Sequence, residues 1–267
     1  MKKQTWIKIL LVVNALLIAL LVFMRVNIEP KGEDIKQGDE VVEVLPKGPT
    51  VDDYRLIVKD LFEQYGSLND DYVGQIVIEN DLINLPFVQS KLEDQTAAYN
   101  QYLRTDFMTN EHDEEGSIFM DPNNDLDDQN IVIYGHYVYP FLDPDQTHKF
   151  SPLHQLKDEA NYEDHNEIQL YLQDEIRTYQ IANVYYVQII LDEDGYETVA
   201  PGSEYMYKNY TSEEFAAYFE YINANEFYDT GIDIDEDGRF LTLQTCVENR
   251  DDLRLIIVAK EIEVIEL

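Results

Sequence analysis

The chain has 267 residues, 45% of them hydrophobic, with 19 Lys+Arg against 54 Asp+Glu, a formal net charge of −35. A body this acidic is repelled by phosphate backbones and anionic lipid headgroups, which excludes nucleic-acid binding. The single cysteine excludes an intramolecular disulfide and leaves three roles for that thiol: a small buried hydrophobe, an intermolecular link or a reactive group.

Residues 9–24 (ILLVVNALLIALLVFM) contain one polar side chain, Asn14. With Trp6 and Ile7, and with Lys8 reaching back to the interface, the run predicts a transmembrane helix. Lys2, Lys3 and Lys8 precede it and no small-x-small cleavage site follows, so an uncleaved anchor with a cytoplasmic N-terminus is expected over residues 1–28. Three prolines and three glycines among charges predict a flexible extracellular stalk over residues 29–49, and residues 50–267 then form the folded domain.

Thr50 with Asp52 and Asp53 resembles a helix start, and Val51, Tyr54, Val58, Leu61 and Tyr65 recur at helical spacing up to Gly66. Two β-like runs follow (VGQIVI and LINLPFV), then a short helix within residues 91–104. Strands are expected at 116–120, 130–134, 167–172, 177–187 and 188–191. Thr211 and Glu214 form a capping box before a second amphipathic helix. The chain ends on two β runs, 240–246 and 253–259. Many short strands with few helices predict a mainly β fold, a closed β-barrel with appended helices.

Cys246 ends the strand FLTLQTC, residues 247–252 turn the chain, and Arg254 opens the last strand. This hairpin makes Cys246 and Arg254 cross-strand neighbours. A guanidinium there can stabilise a thiolate or an oxyanion. His136 ends another strand, after Gly135. Cys with His is the minimum for acyl transfer, since one attacks and the other moves the proton.

Together these residues resemble the sortase family. Thr242–Cys246 (TLQTC) resembles its T-L-x-T-C signature, Tyr134-Gly135-His136 its Y-G-H, and Arg254 its arginine eight residues past the cysteine. Residues 69–78, 85–88 and 116–121, with the helices before the barrel and before the cysteine strand, are similar to class B members. Gln75 stands where Trp is common there, and Tyr137 where Asn is common. The resemblance implies a cysteine transpeptidase that cleaves a C-terminal sorting motif of surface proteins, of LPxTG or NPxTx type. Cys246 would be the nucleophile, His136 the proton carrier and Arg254 the oxyanion stabiliser, with Thr245 and Tyr137 near substrate. The acyl group would pass to an amine of a peptidoglycan precursor or a pilin, without metal or organic cofactor. Two readings compete: a non-catalytic binding module on the same barrel, and a hydrolase without acceptor.

Asp233, Asp235, Asp237 and Gly238 match the first half of a calcium loop, but the twelfth position is Gln244, which lacks the bidentate closing carboxylate. An acidic turn is the competing reading. His112, His148, His154 and His165 show no ligand spacing and are expected to be surface or local structural residues.

Overall fold

The computed structural model describes residues 49–140, 142–192 and 197–267. The expected anchor and, save Pro49, the stalk lie outside the described residues. No helix of the described residues is long and apolar enough to cross a membrane.

Eleven strands are described: β1 (Tyr72–Ile78), β2 (Ile83–Val88), β3 (Thr105–Asp106), β4 (Glu111–His112), β5 (Ile118–Met120), β6 (Asn130–Tyr134), β7 (Glu167–Tyr171), β8 (Glu175–Leu191), β9 (Glu197–Val199), β10 (Phe240–Val247) and β11 (Arg250–Glu266). The main sheet runs β11-β10-β6-β5-β2-β1-β7-β8-β9, and β11 also pairs with β8. That pairing closes eight strands into a barrel and leaves β9 as a flap beyond β8. Closure is driven by period-2 alternation. Ile76, Ile78, Phe87, Ile131, Ile133, Leu170, Ile181, Leu241, Leu243 and Ile257 share one buried cluster, the barrel interior. The intervening Val132, Tyr134, Ala182, Tyr185, Phe240, Ile256 and Val258 form a second cluster on the outer face.

Among the described residues, three α-helices accompany the barrel. Helix α1 (Val51–Leu61) is capped by Thr50, whose hydroxyl accepts from Asp53 N–H while Asp53 reaches back to the Thr50 amide. Its buried Tyr54 and Val58 pack on Ile176, and a π-helical turn (Phe62–Gly66) ends it. Helix α2 (Gln95–Gln101) is capped by Asp94. Helix α3 (Ser212–Asn225), with the expected Thr211/Glu214 capping box, seats Phe215, Tyr218 and Ile222 on the outer cluster.

Sequence and structure differ at two places that matter for function. The residues expected as a loop before the last strand are mostly strand: β11 starts at Arg250, and the turn is only Glu248–Asn249. Asn249 takes φ 57°, a left-handed conformation that asparagine tolerates, so a tight hairpin is possible without glycine. The second is a 3-10 segment, Ser151–Lys157, where no element is expected from the sequence.

Candidate active site

The site stands at one rim of the barrel. On β10, Leu241 and Leu243 face the interior, so by the strand's alternation Cys246 faces outward with Thr242 and Gln244. Cys246 pairs with Arg254 of β11, and the register shifts immediately after it, so that Val247 opposes Arg250. The nucleophile candidate therefore sits at the last regular pair before a bulge.

The Arg254 side chain is 13% exposed and is held from three sides. Nη1 donates to the carbonyls of Asp251 at 2.8 Å and Leu253 at 3.0 Å, and Nη2 donates to Glu197 Oε2 at 3.1 Å. Glu197 opens the flap strand β9.

His136 lies two residues beyond β6. Strand β6 runs parallel to β10, with Tyr134 opposite Gln244. The Gly135 N–H donates to the Gln244 carbonyl at 3.1 Å and extends the pairing by one residue. His136 thus comes to the same rim as Cys246. Glycine is needed at 135 because a Cβ there would stand 2.5 Å from Ile118 Cδ1 and 2.6 Å from the Phe150 ring.

The His136 Nε2 lies 2.7 Å from the Leu103 carbonyl oxygen. A carbonyl only accepts, so Nε2 carries the proton and Nδ1 is left with its lone pair. Burial lowers the His136 pKa, aided by Arg104 and Lys149 and opposed by the Leu103 bond. Burial raises the Cys246 pKa; Arg254 pulls it down, while Glu197 and Asp251 push it up. Both shifts favour uncharged forms, so at neutral pH the resting pair is thiol and imidazole.

Next to Arg254 lies a cavity of about 370 Å³, lined by Tyr99, Tyr134, Glu197, Tyr205, Gln244 and Arg254 among others. Tyr99 and Tyr134 meet edge-on with centroids 5.3 Å apart. Burial and the Asp121 charge push Tyr99 up to about 12 despite Arg254, so it acts here as a neutral hydroxyl.

The other residues singled out from sequence are placed unevenly. Thr245 is fully buried, on the strand face opposite to Cys246. Its Oγ1 has no hydrogen-bond partner among the described residues. Gln244, one residue earlier, lines the cavity instead. Tyr137 lies against the hairpin turn, its hydroxyl donating to Glu248 Oε2 at 3.3 Å. Of the calcium candidates Asp233, Asp235 and Asp237, Asp235 pairs with Lys260 at 2.7 Å. Among the described residues no group of three or more acidic, His or Cys side chains could hold a metal ion. His112 and His148 pair with Glu114 and Glu115 near the surface, and His165 bonds the Glu79 carbonyl.

His154 departs from the sequence expectation by its location. Its Nε2 lies 3.0 Å from the Cys246 carbonyl oxygen and its ring packs on Tyr137 at 4.7 Å between centroids. No sequence signal links positions 92 residues apart. Glu197 likewise carries no motif, and only the pairing of β9 with β8 brings it to Arg254.

Comparison with known proteins bears on the fold and the family of the chain. The family model described as "Sortase domain" matches residues 91–262. Sortase B of Staphylococcus aureus (strain NCTC 8325 / PS 47) is 26% identical over 211 residues, covering 78% of this chain and 77% of its own length. The structure of Clostridium perfringens sortase B is similar with a TM-score of 0.59 and 29% identity, over 75% of this chain and 99% of that one. A Staphylococcus aureus sortase B–substrate complex shares the fold at 21% identity, with a TM-score of 0.60 over 79% of this chain and 92% of that one.

Proposed function

Because the chain belongs to the sortase family, cysteine transpeptidases that anchor surface proteins, we propose that Cys246, His136 and Arg254 carry that reaction here. The observation that carries the reading is the pairing of Cys246 with Arg254, with His136 brought to the same rim by the parallel β6–β10 ladder. The Cys246 thiol attacks the threonine carbonyl of an LPxTG- or NPxTx-type sorting motif. Its proton passes to His136 Nδ1, and the Arg254 fork faces the oxyanion. His136 then protonates the leaving amine as the tetrahedral intermediate collapses to a thioester. An incoming amine, of a peptidoglycan precursor or a pilin, gives its proton to His136 and releases the product. The tyrosine-lined cavity beside Arg254 receives the motif. Gln244 lines this cavity, Thr245 supports the strand from its buried face, and Tyr137 stands at the hairpin turn on the rim. Residues 1–28 hold the enzyme in the membrane, and 29–49 place the catalytic domain 50–267 outside.

The test uses the full chain extracted from the membrane fraction. With sorting-motif peptides, intact-protein mass spectrometry should show one thioester adduct per chain, discharged faster when an amine nucleophile is added. No adduct with any motif, or release of the chain by a carbonate wash, would overturn the corresponding part of the reading.

A resting thiol–imidazole pair also fixes a pH dependence. The Cys246 pKa is raised, so thiolate accumulates only above the usual thiol range. Alkylation by iodoacetamide should have its midpoint at higher pH than for an unperturbed cysteine. Glu197→Gln should lower that midpoint, because it removes a carboxylate that disfavours the thiolate. A wild-type midpoint below the ordinary thiol value would show a preformed thiolate–imidazolium pair instead.

A further inference from the structure

The parallel β6–β10 ladder ends where the Gly135 N–H donates to the Gln244 carbonyl, and by strand alternation the Cys246 carbonyl, two residues on, points to the same side beyond the last pair. A carbonyl beyond the last ladder bond leaves the strand end free to shift unless another donor holds it. Here the donor is a side chain, His154 Nε2 at 3.0 Å. Four residues earlier, the Phe150 N–H donates to the His136 carbonyl at 3.1 Å. One short segment, the 3-10 turn Ser151–Lys157 with its leading Phe150, therefore holds the main chains of both His136 and Cys246.

The segment is itself fixed. Phe150, Leu153 and Leu156 are fully buried in the barrel core. Ser151 Oγ accepts from the Val138 N–H at 2.8 Å. The His154 ring lies on Tyr137, whose hydroxyl bonds Glu248 in the hairpin turn. Because its acceptor is a carbonyl, His154 Nε2 carries the proton, and burial keeps the ring neutral, with its pKa lowered to about 4.

We propose that His154 is a positioning residue of the reaction, fixing the Cys246 main chain beyond the end of the β6–β10 ladder so that the thiol keeps its place relative to His136. It touches neither substrate nor the reacting sulfur. It acts through the Cys246 carbonyl, and a misplacement of about 1 Å at the reacting atom can cost about 10²-fold in rate. The inference rests on the roles proposed above for Cys246 and His136.

The test compares the full chain with His154→Phe, which keeps an aromatic ring on Tyr137 but loses the donor, and with His154→Gln, which keeps a donor. His154→Leu is a second donor-less variant where Phe perturbs the fold. Single-turnover acylation by a sorting-motif peptide should fall about 10–100-fold in His154→Phe. Peptide KM should change by less than about threefold, the melting temperature should hold, and His154→Gln should recover most of the rate. Alkylation of Cys246 by iodoacetamide, which needs no sorting substrate, should rise several-fold in His154→Phe as the strand end loosens, and stay near wild type in His154→Gln. Wild-type kinetics in the donor-less variants would overturn the proposal. So would equal losses in the Phe and Gln variants, which assign the effect to ring packing. Should the wild-type chain acylate no peptide, the function reading fails and the alkylation ratio alone decides the role of His154.

Discussion

Replacing Cys246 by alanine should lower sorting-peptide cleavage by more than about 10³-fold, with little change in melting temperature. The chain has no second thiol to take over attack. Nor is the sulfur part of the interior cluster: Leu241 and Leu243 of the same strand supply that packing. Losing one partly buried sulfur costs about 1 kcal/mol at most. The measurement is steady-state cleavage of a quenched sorting peptide alongside a thermal melt. Cleavage retained by the alanine variant would move the nucleophile elsewhere. Collapse of the melt would make Cys246 a structural residue.

Arg254→Lys is the second large effect. A surface arginine tolerates lysine, but Arg254 is anchored by two carbonyls and a carboxylate at 2.8–3.1 Å. One ammonium on a flexible stem cannot satisfy those acceptors and also present a planar donor pair. Loss of an oxyanion donor typically costs about 10²–10³ in rate, or about 3–4 kcal/mol. The acylation rate of the lysine variant should fall by that factor, with peptide affinity within a small factor of wild type and the fold intact. Single-turnover acylation with one peptide checks this; an unchanged rate would reduce Arg254 to a strand residue.

The barrel and its reactive rim were legible because their signals are local. The FLTLQTC and Leu253–Ala259 runs announce two strands, and a hairpin between them forces Cys246 beside Arg254, as found. The turn was misjudged because Glu248, Asn249, Arg250, Asp251 and Asp252 have loop composition. Their strand character comes from pairing with the partner strands, which outweighs propensity. Gln244, not singled out by any motif, lines the cavity because period-2 alternation puts it on the same strand face as Cys246, with Thr245 on the buried one. His154 and Glu197 were not legible at all. Each reaches the site through a tertiary contact, and neither the SPLHQLK turn nor the short β9 carries a periodic pattern.

The parallel β6–β10 ladder sets the order in which the protein can assemble. Thr242 Oγ1 donates to Asn130 Oδ1 at 2.8 Å across 112 residues of chain, and β11 must then close on β8. Such non-local pairing is entropically expensive before it is rewarded, which makes it slow. Cys246 and Arg254 lie on β10 and β11, while His136 follows β6, which is made more than a hundred residues earlier. No early folding intermediate that lacks β10 can hold a competent acyl-transfer centre. The thiol meets its proton partner only when the barrel is complete, so onset of activity in a refolding experiment is a clock for the final closure step.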